Sequence, residues 1–116
     1  MRYFWIIGCL VLLTACKGEV KLPEKPDDLI ERDSMVMLLK DMTILESGIQ
    51  NRYRNVTVFY KVMTQSGEHY LNSKNISSDR FERSYDYYVS REKELQSMYS
   101  EIRDSLSREV NQLQNQ

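Results

Sequence analysis

Apolar residues recur along most of the chain at the spacing of a helix face. Met35, Leu38, Met42, Leu45 and Ile49 follow one another at steps of three, four, three and four, flanked by Val36 and Leu39. Such steps return to the same side of a helix and predict an amphipathic segment with Lys40, Asp41 and Glu46 on or near its polar side. Asp33-Ser34 offers a cap just before it, because a short side-chain oxygen can accept a bond from an unpaired first-turn N–H. A second apolar series runs through Val56, Phe59, Tyr60, Met63, Tyr70 and Leu71, with Gly67 on the same face. Val56 to Val62 also suits a short strand, since Val, Thr, Phe and Tyr favour strands; helix is the preferred reading. Gly67 either lets a neighbouring helix approach or breaks this one.

Asn72 to Ser78 reads as a loop, with Ser77 or Ser78 as the cap of the next helix. Phe81, Tyr85 and Tyr88 then mark a short helical face. Ser90 is the expected cap of a last helix with Glu92 in its first turn. Leu95, Tyr99, Ile102, Leu106 and Leu113 continue that helix at heptad-like spacing, and the terminal NQLQNQ is expected to fray. The predicted fold is all-α, a small bundle of three to four helices occupying residues 27–116.

The first residues have a different pattern. Met1 and Arg2 give a short positive start, and Tyr3 to Leu13 form an apolar run of 11 residues. That run is shorter than the ~20 residues a membrane-spanning helix needs but suits a secretory signal. Leu13-Thr14-Ala15-Cys16 then resembles the bacterial lipobox. The expectation is a cleaved signal over residues 1–15 and a diacylglyceryl group on the Cys16 thiol. Residues 16–26, with Gly18, Pro23, Pro26 and mixed charge, read as a flexible tether, of which Lys17 to Pro26 extends at most ~35 Å. The mature chain is thereby expected to be anchored to a membrane without spanning it.

Processing changes the composition. Loss of Arg2 leaves 15 Lys+Arg against 17 Asp+Glu, a formal side-chain charge of −2, and Cys16 becomes the one remaining cysteine. No disulfide framework or thiolate metal site can then form, and stability has to come from one modest hydrophobic core. The mixed charge argues against nucleic acid.

Two strings resemble a known family. Leu38-Leu39-Lys40-Asp41-Met42-Thr43-Ile44-Leu45-Glu46 and Phe81-Glu82-Arg83-Ser84-Tyr85-Asp86-Tyr87-Tyr88, the latter an F-x-x-S-x-x-Y-Y pattern, together with the lipobox and the Lys-Pro tether, resemble the domain of unknown function 4296 family over roughly residues 25–113. Its members are small lipoproteins of the Bacteroidetes envelope. The resemblance implies location and fold and carries no catalytic assignment.

Candidate chemistry is sparse. His69 is the single histidine and lies beside the expected loop, where an exposed surface role is the simpler reading. Ser84 has no histidine at a partner spacing, and its hydroxyl is expected to bond locally to its own helix. Asp41 and Glu46, five apart, do not share a helix face. No catalytic residue, metal or cofactor is expected. Tyrosine stands out, with seven in the mature chain. Tyr87 lies off the Phe81/Tyr85/Tyr88 face and is the interface candidate, joined by Asp41 and Glu46. The expected function is a non-catalytic, lipid-anchored adaptor of an envelope protein complex, for example one that assembles or exports outer-membrane proteins. The alternative is a glycan- or peptidoglycan-binding module using exposed tyrosines. A periplasm-facing outer-membrane location is favoured, since Lys17-Gly18-Glu19 only partly resembles an acidic surface-export tag. Asp33-Ser34-Met35 and Asp104-Ser105-Leu106 resemble short O-glycan attachment sites.

Overall fold

A computed structural model describes Gly18 and residues 21–116; the signal segment, Cys16 and most of the first tether residues lie outside the described residues. Among the described residues four helices form: α1 (Arg32–Arg52), α2 (Val56–Ser73), α3 (Ser78–Val89) and α4 (Glu92–Gln114). Among the described residues there is no strand, so the all-α expectation is met. α1 is the central element, packed by α2 on one side and α4 on another, and α3 folds back on α4.

Apart from Tyr87, the helical part of the core is assembled from the apolar faces read in the sequence. Met35, Val36, Leu38 and Leu39 of α1 meet Leu71 of α2, Tyr87 and Tyr88 of α3, and Met98 and Ile102 of α4. Ile30, which precedes α1, is also part of it, and Leu29, Met42, Phe81 and Leu106 pack around its edge.

α1 begins one residue before the expected cap. Glu31 occupies the cap position with no side-chain bond, which moves Asp33 into the first turn. There its carboxylate still faces the positive end of the helix dipole. α2 is helical from its first residue, so the strand alternative over Val56 to Val62 is not adopted. Asn55 caps it by accepting from the Val58 N–H at 3.2 Å. Gly67 sits inside α2 against Met42 and breaks nothing; a Cβ built there would lie 3.8 Å from the Met42 Sδ and Cε.

α2 runs into the expected loop as far as Ser73 and stops by a defined device. Asn75 adopts φ 57°, its N–H bonds the Asn72 carbonyl and the Ile76 N–H bonds the Leu71 carbonyl, both at 3.0 Å. This is a Schellman stop in which asparagine takes the left-handed position usually given to glycine, and Ile76 folds back toward Leu71.

Ser77 caps α3 by accepting from the Arg80 N–H at 3.2 Å. Ser90 does not cap α4. It closes α3 instead, its hydroxyl donating to the Tyr87 carbonyl at 2.6 Å, and Arg91 stands at the start of α4 without a side-chain cap. α4 stays helical to Gln114, beyond the point where fraying is expected. Its apolar stripe leaves the core after Leu106: Val110 and Leu113 are exposed. Arg32 binds Glu101 and Ser97, and Lys40 pairs with Glu109, which ties α1 to α4 along their solvent edges.

Candidate functional site

The residues of the F-x-x-S-x-x-Y-Y string hold the chain as it enters the domain. Side chains four apart on a helix stand one above the other, so Ser84 and Tyr88 of α3 present two hydroxyls on one face. They grip a single residue. The Ile30 N–H donates to the Ser84 Oγ at 3.0 Å, and the Tyr88 hydroxyl donates to the Ile30 carbonyl at 2.7 Å. Ser84 is 0% exposed and Ile30 and Tyr88 are each 2% exposed, so both bonds are made out of water. Ile30 precedes α1 and has no helical partner for its N–H; α3 supplies it.

One turn toward solvent, Arg80 Nε donates to the Asp28 carbonyl at 2.7 Å and Arg83 binds the Asp28 carboxylate at 2.6 Å. That guanidinium hydrogen bond holds the Asp28 carboxyl below its usual value. Burial pushes the Tyr88 phenol up, which keeps it a neutral donor. Together Arg80, Arg83, Ser84 and Tyr88 form a clasp on residues 28–30. The local bonding expected of Ser84 is therefore corrected: its partner is 54 residues away.

Tyr87 also departs from its expectation. It is buried at 9% exposure, edge-on to Tyr88, with the Arg91 guanidinium 4.2 Å over its ring. The reason is the position of the true buried face. α3 turns its face toward Ser84, and Tyr87, one turn on, lies within that face. Treating serine as polar displaces the inferred face toward Phe81 and Tyr85, which instead stack on each other at its edge.

Asp41 falls in a different place, on a groove of about 700 Å³ between α1 and α2. Ile44 and Leu45 give its apolar wall, and Ser66, His69 and Tyr70 face them from α2. The Tyr70 hydroxyl donates to Asp41 Oδ2 at 2.5 Å, a charge-assisted bond across the hairpin. Burial, then that hydrogen bond, drives the Tyr70 phenol far above its ordinary value. Tyr70 therefore serves as a fixed donor that aims the carboxylate, and Asp41 can still accept from a cation or hydroxyl entering the groove. His69 is exposed on its rim.

Glu46 does not join Asp41. It is exposed, and its charge acts on Tyr99, a residue 42% exposed whose phenol is raised by partial burial, a hydrogen bond with Tyr85 and the Glu46 carboxylate. The three sequence candidates thus lie in three surroundings, and only Asp41 lines the groove. Ser34 is exposed and Ser105 half-buried.

A small all-α domain with its N-terminal lead strapped to the third helix is the class these features define. The chain belongs to the family described as Domain of unknown function (DUF4296), which matches residues 26–112. That span begins at the Pro26 carbonyl, which accepts from the Leu29 N–H ahead of the clasp, and ends within α4. No curated protein and no solved structure matches the chain.

Proposed function

We propose that the protein is a non-catalytic, lipid-anchored accessory subunit of an envelope protein complex, tethered through Cys16 to the periplasm-facing leaflet of the outer membrane. The lipobox and the short Lys-Pro tether support the anchor. The clasp supports a domain whose attachment to that tether is fixed rather than loose. The observation that carries the docking role is the α1–α2 groove with its aimed carboxylate. A volume of about 700 Å³ lies within the range of roughly 300–1,000 Å³ usual for ligand sites. Ile44, exposed at 48%, and Leu45 offer apolar surface beside one oriented negative charge. That combination fits a partner segment carrying an apolar side chain next to a lysine or arginine.

The test is affinity purification of the lipidated protein from gently solubilised native membranes, with a photo-crosslinking residue at Ile44. The expected result is one stoichiometric envelope assembly, crosslinked through Ile44, with the crosslink weakened by Asp41→Asn. A lone monomer without a crosslinked partner overturns the reading.

A further inference from the structure

The end of the α1–α2 hairpin differs in chemistry from the rest of the domain. Residues 47–67 contain no aspartate or glutamate in a chain that has 17, while Arg52, Arg54 and Lys61 fall within them. All three are exposed, and among the described residues none of them is in an ion pair. Apolar residues share this tip. Val56 is 66% exposed and Tyr60 65%, one helical turn apart on α2. Val58, on another side of α2, is also exposed, and Phe59 meets Tyr60 edge-on with ring centroids 5.4 Å apart. Tyr53 and Arg54 close a shallow recess against Val56 and Phe59. Exposed valine and tyrosine gain nothing in water, and a cluster of them marks a contact surface.

From these observations we propose that the hairpin tip is a docking surface for an anionic lipid bilayer. Tyrosine at the headgroup level, valine just below it and arginine or lysine beside the phosphates is the arrangement that an interface rewards. Positive charge without intervening carboxylates is complementary to anionic headgroups, and no carboxylate within residues 47–67 neutralises it. The geometry permits it. α1 has 21 residues and is about 31 Å long, so the tip stands that far from the clasp. A ten-residue tether reaches ~35 Å. Anchor and tip can therefore rest on one membrane with α1 lying along it, an arrangement that rests on the lipid-anchor reading above. The tip's own affinity does not.

The experiment uses the mature lipidated protein with Val56→Cys, whose thiol is the single free one once Cys16 is acylated, carrying an environment-sensitive dye. It is reconstituted with vesicles of phosphatidylcholine alone or of phosphatidylcholine with phosphatidylglycerol. The expected result is a blue-shifted emission on the anionic vesicles only, reversed by salt. Each of Arg52→Gln, Arg54→Gln and Lys61→Gln should weaken the tip's association about fivefold. Co-sedimentation reads the anchor separately. A chain that sediments with both vesicles but shows the same emission on each refutes the tip. One that sediments only with anionic vesicles refutes the anchor and upholds the tip. One that sediments with neither refutes both.

Discussion

Replacing Ser84 by alanine isolates the clasp, because it deletes one oxygen and leaves the helix intact. The Ile30 N–H would then face a methyl group in a place closed to water. Leaving a buried donor unsatisfied costs about 1–3 kcal/mol, beyond the ~1 kcal/mol an average hydrogen bond contributes. Ser84 is 0% exposed and Ile30 2%, so little relief by solvent is available and the upper half of that range is expected. For a domain of this size each kcal/mol moves the thermal midpoint by about 4–8 °C. The assay is thermal and urea unfolding monitored by circular dichroism, with hydrogen exchange at the Ile30 amide as a local reading. Asp28→Asn is the control: it weakens the Arg83 pair, in which both side chains are about half exposed, and its midpoint should move far less. If Ser84→Ala unfolds within error of the parent, or if Asp28→Asn is the more damaging change, the entering chain is not held by these buried bonds.

Gly67→Ala should raise stability by about 0.5–1 kcal/mol in the same unfolding assay, since the new methyl meets only the Met42 thioether at van der Waals distance. Asn75→Gly should be neutral or mildly stabilising, whereas Asn75→Val, forced to φ 57°, should destabilise by at least ~1 kcal/mol. Tyr70, Tyr88 and Tyr99 all have phenols raised in the folded state. The folded form therefore holds protons that the unfolded form releases, so stability is full below pH ~10 and falls as pH rises beyond it. Absorbance titration should show Tyr70, Tyr88 and Tyr99 ionising above the range of a free phenol, and these three titrating near pH 10 without unfolding would contradict the packing. Asp28 acts in the opposite sense: its contribution is present above its unfolded value and lost as acid protonates it. A Tyr87→Ala variant should be judged by unfolding rather than by binding, because it empties a core position under Arg91 and should cost roughly 3 kcal/mol or more.

The sequence announces the helices because burial imposes a period, and Met35 to Ile49 repeats that period over four turns. It is poorer at helix ends. A serine or aspartate near a boundary can cap, sit in the first turn or close the preceding helix, and these differ by small local energies. Ser34 and Ser90 illustrate this: Ser34 lies in the first turn of α1, and Ser90 closes α3 by donating to the Tyr87 carbonyl. Ser84 is harder still. Its partner is far along the chain, and a hydroxyl in an aromatic face reads as an interruption rather than the centre of that face. The same misreading put Tyr87 outside. Its proper signal was the four-residue step from Ser84 to Tyr88, two hydroxyls on one line of a helix. In the sequence Asp41 stands out only as a carboxylate opposite core positions; its partner Tyr70, 29 residues away, leaves no trace in spacing.

The clasp also has a mechanical meaning. A pull on the segment before Asp27 does not peel α1 open from its first turn, because the strain reaches the hydroxyls of Ser84 and Tyr88 and the guanidinium groups of Arg80 and Arg83 first. Those four groups grip two nearby residues, Asp28 and Ile30, and resist together. Tension applied to the residues before Asp27 is thus passed to α3, and through it to the packed interior, as a displacement of the whole body. A domain gripped this way moves with the segment that enters it instead of unravelling from it.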